Sequence, residues 1–185
     1  MKRDGHIYLV GFSGSGKSTL GPRLARRLRR PFEDSDTRVE KRERRSIARI
    51  FADKGERYFR SVERDVLASL ARSRTSTVIA LGGGVPVATN NRRLLSKTGV
   101  TVYLKCSRRE LYRRLRATAD RPLLTHSHGP GQTPAQALRA RIDVMLKTRL
   151  PYYESCDLVV STTNRSLAET VDTLMQKLRM LHEDD

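Results

Sequence analysis

Nine residues near the start of the chain, Gly11-Phe12-Ser13-Gly14-Ser15-Gly16-Lys17-Ser18-Thr19, leave few folds open. They fit the pattern G-x-x-x-x-G-K-[ST], a loop whose glycines let backbone N–H groups point inward at phosphate oxygens beside a helix N-terminus. The flanks agree with that use. Ile7-Tyr8-Leu9-Val10 reads as a buried strand, and Leu20, Leu24 and Leu28 recur at helical spacing. The bare pattern arises by chance in roughly one chain of this length in a couple of hundred. The strand–loop–helix setting makes a plain Gly/Ser linker the poorer reading. The loop therefore predicts nucleoside triphosphate binding through Gly14, Ser15, Gly16, Lys17, Ser18 and Thr19. Lys17 would reach the outer phosphates, and the Ser18 hydroxyl would ligate Mg²⁺.

Past this loop the periodicity keeps switching between strand and helix. Arg29-Arg30-Pro31 ends the first helix, Pro31–Asp34 reads as a short strand, and a helix is expected over about Thr37–Arg45. Ser46 reads as the N-cap of another helix, carrying Ile47, Ile50 and Phe51 and punctuated by Gly55, and a longer helix is then expected from about Gly55 to Arg72 with Phe59, Val62, Val66, Leu67 and Leu70 as its stripe. Thr77–Leu81 and Val100–Leu104 are further strands, and Leu111 and Leu115 mark a helix after the second of them. The pattern lapses between Ala117 and Pro134, a length more typical of a functional lid than of a plain connection. A helix from about Pro134 to Leu150, a strand at Asp157–Val160 and a closing helix with Leu167, Val171, Leu174 and Leu178 complete the chain. Strands alternating with helices, without an internal repeat, predict an α/β fold: a parallel sheet covered on both faces, in one domain over residues 1–185.

Charge narrows the partners less than it first suggests. The 185 residues carry 37 Lys plus Arg against 20 Asp plus Glu, a net charge of +17 that would attract polyanions. The arginines are spread along the chain and interleaved with acids, as in Arg38–Arg45, which predicts a solvated helix face with i,i+4 pairs. Aromatic content is only 5% and no nucleic-acid motif is visible, so no nucleic-acid partner is expected. No apolar run approaches a membrane helix, the N-terminal residues are too few and too polar for a signal peptide, and Cys106 and Cys156 lack metal-type spacing. A cytoplasmic chain with free thiols and no membrane partner is the expectation.

Three further stretches carry chemistry. Asp34 and Asp36 stand at a strand end, where open α/β sheets bind ligands. If the strand persists they share a face; if it turns they splay towards one cavity. One carboxylate could hold the Mg²⁺ shell while the other orients or deprotonates a hydroxyl acceptor, or both could simply cap the next helix. Gly82-Gly83-Gly84 leaves bare backbone at another strand end, open to a ligand or a plain turn. Arg60, Arg121 and Arg149 could grip carboxylate or phosphate, but among so many arginines local sequence does not select them. His126-Ser127-His128 fits the tip of a lid better than a metal pair, with no cysteine and no carboxylate nearby in the sequence.

Taken in order, these stretches resemble shikimate kinase. The resemblance rests on Gly11–Thr19, Asp34-Ser35-Asp36, Gly55-Glu56-Arg57-Tyr58-Phe59-Arg60-Ser61-Val62-Glu63, Leu81–Gly84, Arg121-Pro122-Leu123-Leu124 and the stretch Arg149–Glu154. It implies a three-layer P-loop kinase fold of the nucleoside-monophosphate-kinase type, with a five-stranded parallel sheet in order 2-3-1-4-5. It also implies a mobile lid over about 117–134 and a shikimate-binding region over about 34–63. The implied reaction moves the γ-phosphoryl group of ATP to the 3-hydroxyl of shikimate, with Mg²⁺, in aromatic amino-acid biosynthesis. Carried over residue by residue, Lys17 stabilises the transferring phosphoryl, and Ser18 and Asp34 hold Mg²⁺. Asp36 contacts the acceptor hydroxyls as base or orienter. Arg60 and Arg149 grip the shikimate carboxylate, and Gly82, Gly83 and Gly84 line the pocket with Phe51, Phe59 and Glu63. Arg121 closes with the lid onto the nucleotide, and Arg114 or Arg116 stacks on adenine, with Arg116 taken as the contact. ATP and shikimate are then the partners of a monomer. The interval from Arg121 to Arg149 is longer than is usual in the family, with the extra residues expected in 126–133. The segment Thr163–Leu167 resembles the adenine loop but lacks the proline some members carry there. A kinase for gluconate or a nucleotide, or a non-catalytic relative used as a sensor, are the competing readings.

Overall fold

The computed structural model describes residues 5–116 and 132–183. Its elements are β1 (His6–Val10), α1 (Lys17–Leu28), β2 (Phe32–Asp34), α2 (Ser35–Glu43), α3 (Ile47–Ala71) and β3 (Val78–Ala80). A 3₁₀ turn (Val85–Val87), α4 (Thr89–Thr98), β4 (Gly99–Lys105) and α5 (Arg108–Leu115) follow, then α6 (Pro134–Glu154), β5 (Leu158–Ser161) and α7 (Leu167–Glu183). The strands form a five-stranded sheet in the order β2-β3-β1-β4-β5, every neighbouring pair parallel.

Strand periodicity divides the core in two. Tyr8, Val10, Ile79 and Tyr103 point to the face covered by α3, α4, α5 and α6, whose Val62, Leu67, Leu95, Leu111, Ile142 and Tyr153 are buried there. Ile7, Leu9, Val78, Val100, Val102 and Leu104 point the other way, onto Leu20 and Leu24 of α1 and Val171, Leu174 and Leu178 of α7. Because β1 is buried on both faces, all five of its residues are buried and its sequence after His6 is apolar without alternation. Each such Leu, Ile or Val contributes roughly 1.5–3 kcal/mol.

Two local differences from the sequence reading have simple causes. Helix α2 starts two residues before the expected Thr37, because Asp34 caps it and accepts from the Asp36 and Thr37 amides at 3.0 and 3.4 Å. Helix α4 is not legible in the sequence periodicity. Its buried positions are Asn91 and Leu95, and a buried asparagine breaks the apolar stripe; its amide is satisfied by Val85 O at 2.9 Å. Gly55 interrupts α3 with φ 76° and ψ 174°, a conformation almost confined to glycine.

The charged face also differs from expectation. Acids and bases of 33–45 pair between elements rather than along α2: Arg38 with Glu33 of β2, and Arg42 and Arg45 with Asp65 and Asp53 of α3. Glu40 caps α3 at Ile47 N, and Glu43 accepts from Tyr58. Among the described residues no helix is long and apolar enough to cross a membrane, and Cys106 and Cys156 are both free thiols. Burial pushes the Cys156 thiol up to about 11.

Candidate active site

All five strands end on one rim. The segments that leave them carry the P-loop after β1, Asp34 and Asp36 after β2, the glycine triplet after β3, Arg114 on the helix after β4, and Thr162 and Arg165 after β5. This is the carboxyl edge at which open α/β sheets bind ligands.

On the donor side, Gly14 (φ 81°) and Gly16 (φ 103°) take left-handed turns that bend the loop around its own centre. Lys17 Nζ folds back onto Gly11 O and Phe12 O at 2.8 and 3.0 Å, which holds its charge at the loop mouth. Helix α1 starts with no side-chain cap and no acidic residue in its first turn, so its N-terminus is fitted for an anion. The Ser15 hydroxyl is fully buried and has no hydrogen-bond partner among the described residues.

Asp34 serves two uses at once. Its Oδ1 caps α2, while its Oδ2 accepts from Ser18 Oγ at 2.7 Å. The cap and the metal-shell readings of this residue are therefore compatible, one oxygen each. Because the chain turns into α2 at Ser35, Asp34 and Asp36 splay into a common space instead of lying on one strand face. Between them Ser35 is buried, and its Oγ accepts from Gly82 N at 2.8 Å, tying the end of β2 to the end of β3.

The glycine triplet is explained by close approach, not by unusual torsions. A Cβ on Gly82 would lie 2.6 Å from Asp36 Oδ1 and 2.9 Å from Glu63 Oε1. On Gly83 it would lie 3.2 Å from Arg149 Nη1, and on Gly84 2.5 Å from Arg60 Nη1. Each glycine makes room for a different charged side chain. Arg60 bonds Glu63 Oε2 at 2.8 Å and Glu56 Oε1 at 3.1 Å. Glu63 is 3% exposed, and burial pushes its carboxyl up against the opposing pull of Arg60 and then Arg149. Arg149 also approaches the Phe12 ring of the P-loop, at 6.0 Å from its centroid.

These residues line two cavities. One, of about 420 Å³, runs from the P-loop past Arg114 to Thr162, Arg165 and Leu167. The other, of about 370 Å³, holds Phe59, Arg60, Glu63, Gly82, Gly83, Gly84, Met145 and Arg149. Lys17, Ser18, Asp34 and Asp36 line both, so the two cavities meet at them. Gly14, Ser15, Gly16 and Thr19 lie on the first. Phe51 lines neither; it packs behind Phe59, with ring centroids 4.8 Å apart.

Of the two arginines considered for an adenine contact, only one borders a cavity. Arg116 is the exposed C-cap of α5 and borders neither cavity, whereas Arg114 lines the first. Helical spacing sends the two side chains in different directions, and Arg114 is anchored by Glu110 Oε1 at 2.8 Å, Gly14 O at 3.1 Å and Thr162 O at 3.3 Å. Glu110 is drawn down to about 2 by Arg113 and Arg114. Arg121 and residues 126–131 lie outside the described residues, and Thr133 is the N-cap of α6.

A family model described as shikimate kinase matches residues 13–179. The chain belongs to the shikimate kinase family. It is 42% identical over 177 residues to the shikimate kinase of Chlorobium phaeovibrioides, covering 96% of this chain and 89% of that one. The Chlorobium limicola shikimate kinase is 40% identical over 178 residues, covering 96% and 88%. Among solved structures, shikimate kinase from Bacteroides thetaiotaomicron superposes with a TM-score of 0.83 at 32% identity, covering 95% of this chain and 98% of the other. The Acinetobacter baumannii shikimate kinase, solved in complex with shikimate, gives 0.83 at 34% identity, covering 97% and 95%. A gluconokinase from Sinorhizobium meliloti shares the fold alone, at 20% identity and a TM-score of 0.60. The sheet order and family expected from the motifs are both observed.

Proposed function

We propose that the chain transfers the γ-phosphoryl group of ATP to the 3-hydroxyl of shikimate, giving shikimate 3-phosphate and ADP on the route to chorismate and the aromatic amino acids. The supporting observation is the junction at Lys17, Ser18, Asp34 and Asp36, where the P-loop cavity opens into one lined by Arg60, Arg149 and the carboxylates of Asp34, Asp36, Glu40 and Glu63. A small polyhydroxy acid needs cations at its carboxylate and acceptors at its hydroxyls. Arg60 and Arg149 supply the first and Asp36 the second.

In this reading the uncapped start of α1 and the P-loop amides cradle the phosphates, and Lys17 leaves its own loop carbonyls to follow the γ-phosphoryl as charge develops. Asp36 orients the attacking hydroxyl or takes its proton. Arg60 loosens its hold on Glu56 and, with Arg149, fixes the substrate carboxylate, while the glycine triplet meets the acid with bare backbone. Ser18 Oγ and Asp34 Oδ2 form an all-oxygen pair suited to Mg²⁺, which takes one or two protein groups and leaves its other positions to water and phosphate. Magnesium, when bound, supplies charge neutralisation between the β- and γ-phosphates. Arg114 stacks on the base in place of Arg116, and Arg121 closes with residues 117–134 as a lid that keeps water from competing as acceptor. The chain acts as one domain and a monomer in the cytoplasm.

Purified protein is to be assayed for ADP release with shikimate, gluconate and nucleoside monophosphates. Magnesium- and shikimate-dependent turnover is expected. Turnover with gluconate or a nucleotide and none with shikimate would overturn the assignment.

A further inference from the structure

Two adjacent tyrosines, Tyr152 and Tyr153, follow Arg149 on α6, and of the two only Tyr153 is buried. Tyr153 is fully buried, and its hydroxyl donates to Gly83 O at 2.7 Å. Its ring sits beside that of Tyr103 on β4, with centroids 5.3 Å apart.

Peptide geometry gives this bond a consequence across the loop. The Gly83–Gly84 peptide is trans, so the Gly83 carbonyl and the Gly84 N–H point in opposite directions. The carbonyl turns into the core onto Tyr153. The Gly84 N–H therefore turns outward, where Gly84 borders the acceptor cavity. The next amides, Val85 and Val87, bond back to Gly82 O and Gly84 O, but Gly84 N–H has no acceptor among the described residues. Such a donor needs water or a ligand. Both clamp arginines stand beside this peptide: Arg60 Nη1 lies 2.5 Å from the position of a Gly84 Cβ, and Arg149 Nη1 lies 3.2 Å from that of a Gly83 Cβ. The Tyr153 hydroxyl lies 3.4 Å from the same Gly83 position.

We propose that Tyr153 is a positioning residue for the acceptor: its hydroxyl orients the Gly83–Gly84 peptide so that Gly84 N–H joins Arg60 and Arg149 in holding the substrate carboxylate. The inference rests on the shikimate kinase reading above. Without the hydroxyl, the loop peptide is free to rotate and the N–H no longer stays on its target.

The test compares Tyr153→Phe, which keeps the ring, with Tyr103→Phe, which removes a neighbouring buried hydroxyl that does not bond the loop. Steady-state kinetics and direct titration of shikimate onto each protein are read together. For Tyr153→Phe, KM and Kd for shikimate should rise about tenfold, equivalent to about 1.4 kcal/mol. Its kcat and ATP KM should stay within about twofold of wild type, a split that lost packing alone does not produce. Tyr103→Phe should bind shikimate as wild type does. Unchanged shikimate affinity in Tyr153→Phe overturns the inference while leaving the functional reading intact. So does an equal loss in both variants. Wild-type protein that binds no shikimate overturns both.

Discussion

Replacing Gly84 by alanine separates close approach from conformational need. Gly84 has φ −92° and ψ −15°, which alanine adopts without strain. The backbone therefore gives no reason for instability, and the narrower unfolded ensemble of alanine contributes about 0.4–1 kcal/mol of stability. The added methyl, however, would sit 2.5 Å from Arg60 Nη1 and 2.8 Å from Arg60 Cζ and Nη2. Ordinary contacts of this kind are about 3.5–4.0 Å, so the guanidinium must retreat by roughly 1 Å. The obstacle is the end of a flexible side chain, so the fold survives. The clamp does not, because Arg60 Nη1 is the atom that bonds Glu63 Oε2 at 2.8 Å. A misplacement of about 1 Å at a positioning group costs up to ~10²-fold, so the shikimate KM should rise about 30- to 100-fold. ATP KM should change less than about twofold, since Gly84 does not border the nucleotide cavity. The assay is ADP release with each substrate varied in turn, beside a thermal melt. A shikimate KM within error of wild type, in a folded variant, would show that Arg60 does not grip the substrate from this position. A fall in Tm of more than about 5 °C would show that the methyl displaces backbone rather than Arg60.

Gly55→Ala should do the reverse: nothing lies within 4 Å of its added methyl, but φ 76° and ψ 174° suit only glycine, so stability should fall by about 1–3 kcal/mol in a denaturant melt while both KM values hold. Asp34→Asn keeps the Oδ1 cap and removes the charge beside Ser18, so the Mg²⁺ concentration for half-maximal rate should rise with little change in Tm; Asp34→Ala should in addition lose about 1 kcal/mol of stability, and equal melts for the two variants would contradict the split role. Asp36→Asn should abolish turnover while ATP still binds by titration, and near-normal turnover would remove its assigned role. His6 is buried with Nδ1 accepting from Thr77 N at 3.3 Å, and burial holds its pKa below the ordinary 6.5. Its folded-state pKa is depressed, so its contribution is fully present above about pH 6.5 and is lost as pH falls through the folded value. Tm should drop between pH 7 and 5 more steeply in wild type than in His6→Asn, and parallel curves would exclude this origin.

The P-loop, the two aspartates and the alternation of strands with helices were legible because each is written in adjacent residues. Capping, turn chemistry and periodicity act over a few positions, and the family resemblance then supplied the sheet order that no local pattern contains. What the sequence left open was convergence. With 37 Lys plus Arg spread along the chain, no local signal separates Arg114, anchored at the P-loop, from Arg116, which is exposed two residues later. Nor does any separate buried Tyr153 from its neighbour Tyr152. Ser35 between two aspartates reads as a spacer until β2 and β3 lie side by side and its hydroxyl meets Gly82 N. The glycine triplet reads as a turn, yet its reason is four charged side chains, Asp36, Arg60, Glu63 and Arg149, arriving from α2, α3 and α6. The sequence by itself determined the strands, the helices other than α4, and the P-loop, because those rest on neighbours along the chain. Only the tertiary structure decided which charges line the second cavity and why bare backbone is needed there, because that depends on groups far apart in sequence occupying the same few ångströms.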